Sequence, residues 1–253
     1  MSDLAELSER VAQACRVLGR LDLTEAATGH VSARIPGTDH ILIRARGPEE
    51  LGVRYTTADQ VVEVGMDGKL VRTSAAGLEV PIEVFIHTAI YRRRPEINSV
   101  VHVHPPTVVL FTICNKPLLP LYGAFDPSSA QMAINDIPTF PRSILVSSPE
   151  LGDELATIMG KSRICMMRGH GITTASSSIE EASLDAIHLN TLATMNYRAH
   201  MLGTPIPIPP EEQDALRKME ARASGAAAAA ARSDRPSGRA AALWRYYCAL
   251  TAD

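Results

Sequence analysis

The residues best suited to chemistry in this sequence are three histidines, His102, His104 and His170. The first two close the β-branched run Ser99-Val-Val-His-Val-His104, which Pro105-Pro106 stops. Side chains two apart on a strand share a face, so His102 and His104 project side by side and can bind one divalent ion at nitrogen–metal distances of ~2.0–2.1 Å. A single strand histidine is more often a satisfied core residue. A pair ending at a Pro-Pro break points toward ligation. His170 lies between Gly169 and Gly171, just beyond the apolar run Arg163-Ile-Cys-Met-Met167, where small neighbours let a ligand or substrate approach. Alone it would read as a turn residue. Three imidazoles with an open position make a catalytic site, because a structural site closes the fourth position. Zinc, manganese, iron and cobalt all suit such a set. Glu83 is the fourth candidate, in the first turn of an expected helix with His87 one turn later on the same face. A carboxylate there gains from the helix dipole even when solvated.

These residues need a scaffold. Leu4, Leu7, Val11, Ala14, Cys15 and Leu18 recur with the helical period from Leu4 to Leu21, with Ser2 as a cap. Gly29–Ser32 opens a strand, and Pro36-Gly37 turns the chain into His40–Ile43. Val61–Val64 and Lys69–Val71 form a further hairpin about Asp67-Gly68. A helix spans Ile82–Arg93 before Pro95. Strand Ser99–His104 gives way to a short helix from Thr107. A mixed region reaches Ile144-Leu-Val146, and Ser148-Pro149-Glu150 starts another helix. Ser178-Ile-Glu-Glu181 is a capping box opening a helix to about Met201. After Pro205–Pro210, a helical stretch through Lys218 leads to the Ala-rich run Ala226–Ala231. Ser233–Gly238 interrupts it, and Ala240–Leu250 forms a terminal amphipathic helix. Mixed hairpins and helices favour one α/β domain over a βαβ winding, with residues 1–215 as the catalytic unit and 216–253 packing on it or on a neighbouring subunit.

Composition narrows the function classes. A 253-residue chain of net charge −3 gives no electrostatic reason to expect nucleic acid or an anionic membrane surface. No window approaches the ~18 apolar residues of a membrane span, and the start is too charged for a secretory signal. The four cysteines form no CxxC pair and read as free thiols of a cytoplasmic protein. Asp126-Pro-Ser-Ser129 is no nucleophile elbow, Gly169-His-Gly171 is no phosphate loop, and Met166-Met167 is strand core.

Taken in order, Thr28-Gly-His-Val-Ser32, Pro81-Ile-Glu-Val-Phe-Ile-His-Thr-Ala-Ile-Tyr91, Arg94-Pro95, Val100-Val-His-Val-His-Pro105 and Gly169-His-Gly171 resemble the class II aldolase/adducin family from roughly Leu4 to Gly203. The resemblance implies a three-layer α/β/α sandwich around a largely antiparallel sheet, and a homotetramer with sites between subunits. It implies that His102, His104 and His170 bind zinc or a similar divalent ion, and that Glu83 is the catalytic acid/base. It leaves Tyr246 and Tyr247 as C-terminal aromatics that could reach a neighbouring site.

The departures bear on the substrate. Phosphosugar aldolases of this family cradle phosphate with small hydroxyl- and amide-bearing loops. Here His30, Arg44-Ala-Arg-Gly-Pro48 and Pro81-Ile82 stand in those places. Arg44 and Arg46 alternate along a strand end and could face one pocket, where a guanidinium fork suits a carboxylate; solvated edge charges are the alternative. Arg-x-Arg-Gly-Pro-Glu-Glu, Thr-Gly-His-Val-Ser, His-Val-His-Pro-Pro and Arg-Gly-His-Gly-Ile-Thr look closest to decarboxylases of ortho-hydroxylated aromatic dicarboxylates, such as dihydroxyphthalate or hydroxymethylpyridine-dicarboxylate. The expectation is a metal-dependent carbon–carbon lyase acting on a small aromatic carboxylate. Glu83 and His30 would be catalytic, and Arg44, Arg46 and Ser32 would bind substrate. Rival readings are an aldolase or epimerase acting on a non-phosphorylated hydroxy-carbonyl compound, and a non-catalytic adducin-like scaffold.

Overall fold

The structure is a computed structural model that describes residues 3–73, 75–218 and 238–251. Helix α1 (Asp3–Arg20) precedes strands β1 (His30–Arg34), β2 (His40–Arg44), β3 (Val61–Gly65) and β4 (Leu70–Arg72). Next come α2 (Val84–Arg93), β5 (Ser99–Val103), α3 (Pro106–Ile113), α4 (Pro127–Ile134) and β6 (Thr139–Phe140). The chain continues through α5 (Pro149–Met159), β7 (Ile164–Met167), β8 (Gly171–Ser176) and α6 (Ile179–Leu202). Residues 210–218 are helical (α7), and α8 is Gly238–Ala249. Ser2, the Ala-rich run 226–231 and residues 233–237 lie outside the described residues.

Among the described residues, eight strands form one sheet in the order β4-β3-β2-β1-β5-β8-β7-β6, antiparallel except for the parallel pair β6–β7. Alternation along the strands produces two separate cores. Val31, Ala33, Val101 and Val103 face α1 and α6, whereas Ile41, Ile43, Val62 and Val100 face α2 and α5. The expected three-layer α/β/α sandwich is therefore present. His30, Ser32 and His102 share the parity of Val100, so they face the α2 layer. α8 packs against the α1/α6 core through Leu243, Trp244 and Tyr247, on the same chain, while Tyr246 stays exposed. No helix among the described residues is long and apolar enough to cross a membrane.

Four elements depart from the sequence reading. Strand β8 was not expected; its β-branched run Gly171-Ile-Thr-Thr pairs with both β5 and β7 and makes the His170 segment a hairpin turn. α4 and β6 lie where only a mixed region was expected; Asp126 caps α4 by accepting from the Ser129 N–H, and Pro127 occupies the first turn. At α6 the Ser178 hydroxyl caps the Glu181 N–H as expected, but the Glu181 carboxylate accepts instead from Ser176 and Ser177, so the reciprocal half of the box is not formed.

Candidate metal centre

Strand β5 ends at Val103, and Pro105-Pro106 turns the chain into α3, which leaves His104 at the lip of the sheet next to His102. The β7–β8 hairpin brings His170 against both, with ring centroids 4.9 Å from His102 and 5.1 Å from His104. Gly171 makes this possible. A Cβ there would lie 2.4 Å from the Val103 carbonyl oxygen and 2.6 Å from Cδ2 of His104. α2 points its N-terminus at the same place and sets Glu83 at the cap position. Glu83 is only 7% exposed, which removes the reading of a solvated first-turn carboxylate. One candidate ligand atom from each of Glu83, His102, His104 and His170 lies within 4.8 Å of the others.

Hydrogen bonds orient the donors. His102 Nδ1 is 3.0 Å from the Ile172 carbonyl, so Nδ1 carries the proton and Nε2 turns a lone pair to the cluster. His104 Nε2 and His102 Nε2 are 2.9 Å apart. Two nitrogens ~2.1 Å from a common ion at near-right angles stand ~3 Å apart, so the spacing fits a shared cation. Glu83 Oε1 accepts from the Val146 N–H at 2.8 Å, while Oε2 lies 3.5 Å from His102 Nε2 and 3.3 Å from His170 Nε2. Both ring nitrogens of His170 are buried without a hydrogen-bond partner among the described residues. Such orphans cost ~1–3 kcal/mol each, and a cation at the centre of the cluster would satisfy one of them. The residues fit a divalent ion.

Electrostatics suit ligation too. Burial alone would raise the Glu83 carboxyl, but His102 and His170 outweigh it and hold the group well below the usual carboxylate range. Burial, reinforced by His102 and His170, pushes His104 down to about 3, and burial also lowers His102. Neutral imidazole is the form that binds metal.

Next to this cluster a second buried network runs inward. His30 on β1 lies directly across from His102, with ring centroids 5.2 Å apart. His30 Nδ1 meets His87 Nε2 at 2.7 Å, His87 Nδ1 meets Ser32 Oγ at 2.7 Å, and Ser32 Oγ meets the Tyr91 hydroxyl at 2.8 Å. Sequence reasoning left His87 without a role and did not single out Tyr91, although two polar side chains one turn apart on the inner face of α2 were the available signal.

Two of the expected substrate-binding side chains, Ser32 and Arg44, are engaged inside the chain. Ser32 is fully buried and its hydroxyl is taken up by His87 and Tyr91. Arg44 is 3% exposed, forms an ion pair with Glu50, and donates to Thr56 Oγ1 at 3.1 Å and to the Ala27 and Gly29 carbonyls at 3.0 and 3.2 Å. Its fork braces the loop before His30, with Nε, Nη1 and Nη2 all engaged within the chain. Arg46 does not join it. It lies past the end of β2, bridged to Glu79, and its side chain is 45% exposed in an ion pair with that residue. Tyr247 packs on the face opposite α2.

The chain matches the Class II Aldolase and Adducin N-terminal domain over residues 9–197. It is 38% identical over 197 residues to a 3,4-dihydroxyphthalate decarboxylase of Arthrobacter keyseri, covering 77% of this chain and 79% of the relative. A 3,4-dihydroxyphthalate decarboxylase of Terrabacter sp. (strain DBF63) is 38% identical over 213 residues, covering 81% and 87%. The crystal structure of an aldolase II superfamily protein from Pseudomonas syringae superposes with a TM-score of 0.82 over 99% of this chain and 94% of that one, at 21% identity, a likeness of fold alone.

Proposed function

This chain belongs to the class II aldolase and adducin family, and from that premise we propose that it is a divalent-metal-dependent carboxy-lyase that removes CO2 from an ortho-hydroxylated aromatic dicarboxylate of the 3,4-dihydroxyphthalate type. The observation that carries the reading is the convergence of His102, His104 and His170 on buried Glu83, in a chain 38% identical to decarboxylases of that substrate.

His102, His104 and His170 would hold zinc, manganese, iron or cobalt. Bound there, such an ion would supply Lewis acidity that takes up negative charge as the carboxylate leaves. Glu83, ionised at rest, takes the proton of the ring hydroxyl and returns it to the carbon that bears the leaving group. The carbon–carbon bond then breaks, its electron pair restores the aromatic ring, CO2 departs, and the ring oxygen regains a proton from solvent. Rigid placement of Glu83 by the Val146 N–H keeps the carboxylate on the reacting carbon. With Arg44 engaged elsewhere, Arg46 is the arginine of the pair assigned to the second carboxylate.

Ile82, Ile113, Ile144 and Leu145, each 44–57% exposed, lie on segments that adjoin Glu83, Val146 and Gly169. A second copy of the chain covering this apolar rim fits the homotetramer with sites between subunits that the resemblance implies. The free thiols fit a reducing cytoplasm. The test is to incubate metal-loaded protein with 3,4-dihydroxyphthalate and follow CO2, with retro-aldol assays on non-phosphorylated sugar acids in parallel. CO2 release is expected. Carbonyl products from the second arm alone would move the assignment to an aldolase, and a chain that binds no metal would revive a scaffold.

A further inference from the structure

The tyrosine at the inner end of the second network fixes the direction of every proton in it. Tyr91 is buried; its hydroxyl lies 2.8 Å from Ser32 Oγ, and the Val100 backbone bears on the same oxygen only as a donor. A buried phenol must donate somewhere, so its proton goes to Ser32. Ser32 then has its own proton to place, with His87 Nδ1 at 2.7 Å and the Val100 carbonyl at 3.4 Å, and the shorter contact wins. His87 Nδ1 is thus an acceptor, which puts the His87 proton on Nε2, facing His30 Nδ1 at 2.7 Å. His30 Nδ1 accepts. Its remaining ring proton sits on Nε2, which has no partner among the described residues and is not among the enclosed unpaired atoms.

Resting on the proposed reaction, we infer that Tyr91, Ser32 and His87 are positioning residues that hold His30 as a neutral Nε2–H donor at the edge of the metal cluster. Two consequences follow. His30 lies beside His102 yet has no lone pair left for a cation, so it does not become the fourth imidazole that would close the open position. An N–H held at that edge selects an anionic oxygen, the ring oxygen or carboxylate of a hydroxylated aromatic acid. His30 would touch substrate; the other three act through it.

The test uses zinc-loaded protein labelled with 15N on its histidine rings, the His30 signals being assigned by their loss in His30→Asn. The expected spectrum shows His30 protonated at Nε2 with an unprotonated Nδ1; the opposite tautomer overturns the inference. A second arm compares His87→Leu, which removes the donor to His30, with His87→Gln, whose amide can donate to His30 and accept from Ser32. Leucine should lower kcat/KM about 100-fold with zinc content unchanged, and glutamine should recover most of that loss. Equal losses in both variants, or loss of zinc with turnover, overturn it. If wild-type protein releases no CO2, the proposed reaction fails while the tautomer measurement still decides the hydrogen-bond chain.

Discussion

At Glu83 the two oxygens of one carboxylate have separate jobs: Oε1 is pinned by the Val146 N–H and Oε2 is turned to His102 and His170. Replacing Glu83 by Gln keeps a hydrogen-bonding group of the same shape but removes the proton carrier. Glu83→Gln is expected to retain metal and lose at least ~100-fold in turnover, whereas His102→Ala loses the ion; metal analysis beside a CO2 assay separates the two. The arginines divide differently from the sequence reading. Both guanidiniums lie in a motif that favours carboxylates, yet type and spacing could not reveal that Glu50 and two loop carbonyls already occupy Arg44. Arg44→Met strands a Glu50 side chain that is 14% exposed, and should cost ~3 kcal/mol by chemical denaturation. Arg46→Met should cost less than ~1 kcal/mol and act on KM. Unchanged stability in Arg44→Met with a raised KM would return Arg44 to the substrate.

The elements explain why distant residues meet. His102 and His104 were legible because strand periodicity and a Pro-Pro stop are local signals. His170 was legible as a residue flanked by glycines, but its position depends on β8, whose pairing with β5 is a long-range fact that no window of sequence contains. Gly171 is the point where that pairing and the site share space. Gly171→Ala should cost ~1–3 kcal/mol through overpacking and weaken metal binding by displacing His104, read by denaturation and metal titration; an alanine variant with full metal affinity would show that the hairpin does not set the cluster. α2 carries a pH signature. Burial, with His102 adding to it, pushes His87 down to about 3. Above its ordinary value of ~6.5 neither the folded nor the unfolded chain protonates it. Below that only the unfolded chain does, so stability falls as pH drops from ~6.5 to about 3, by up to ~1.4 kcal/mol per pH unit. His87→Gln should flatten that slope in denaturation series at successive pH values.

Over the whole molecule, the sandwich keeps two cores apart and leaves its chemistry at one end of the sheet, where the β5 terminus, the β7–β8 turn and the α2 N-terminus converge. The layer architecture was legible because the ordered motifs fix it. The placement of α8 was not, since its apolar stripe would suit either its own chain or a neighbour; here it packs on α1 and α6. A chain with an exposed apolar rim beside its site should sediment as a stable oligomer, and Leu145→Glu should shift it toward monomer and reduce turnover more than metal content. Sedimentation of an active wild-type monomer would contradict that. The proposed chemistry needs three imidazoles on one cation with a position left open. X-ray absorption of the metal-loaded protein should show three imidazoles at ~2.0–2.1 Å, falling to two in His170→Ala; a shell with fewer than three, or one unmoved by His170→Ala, would rule that centre out.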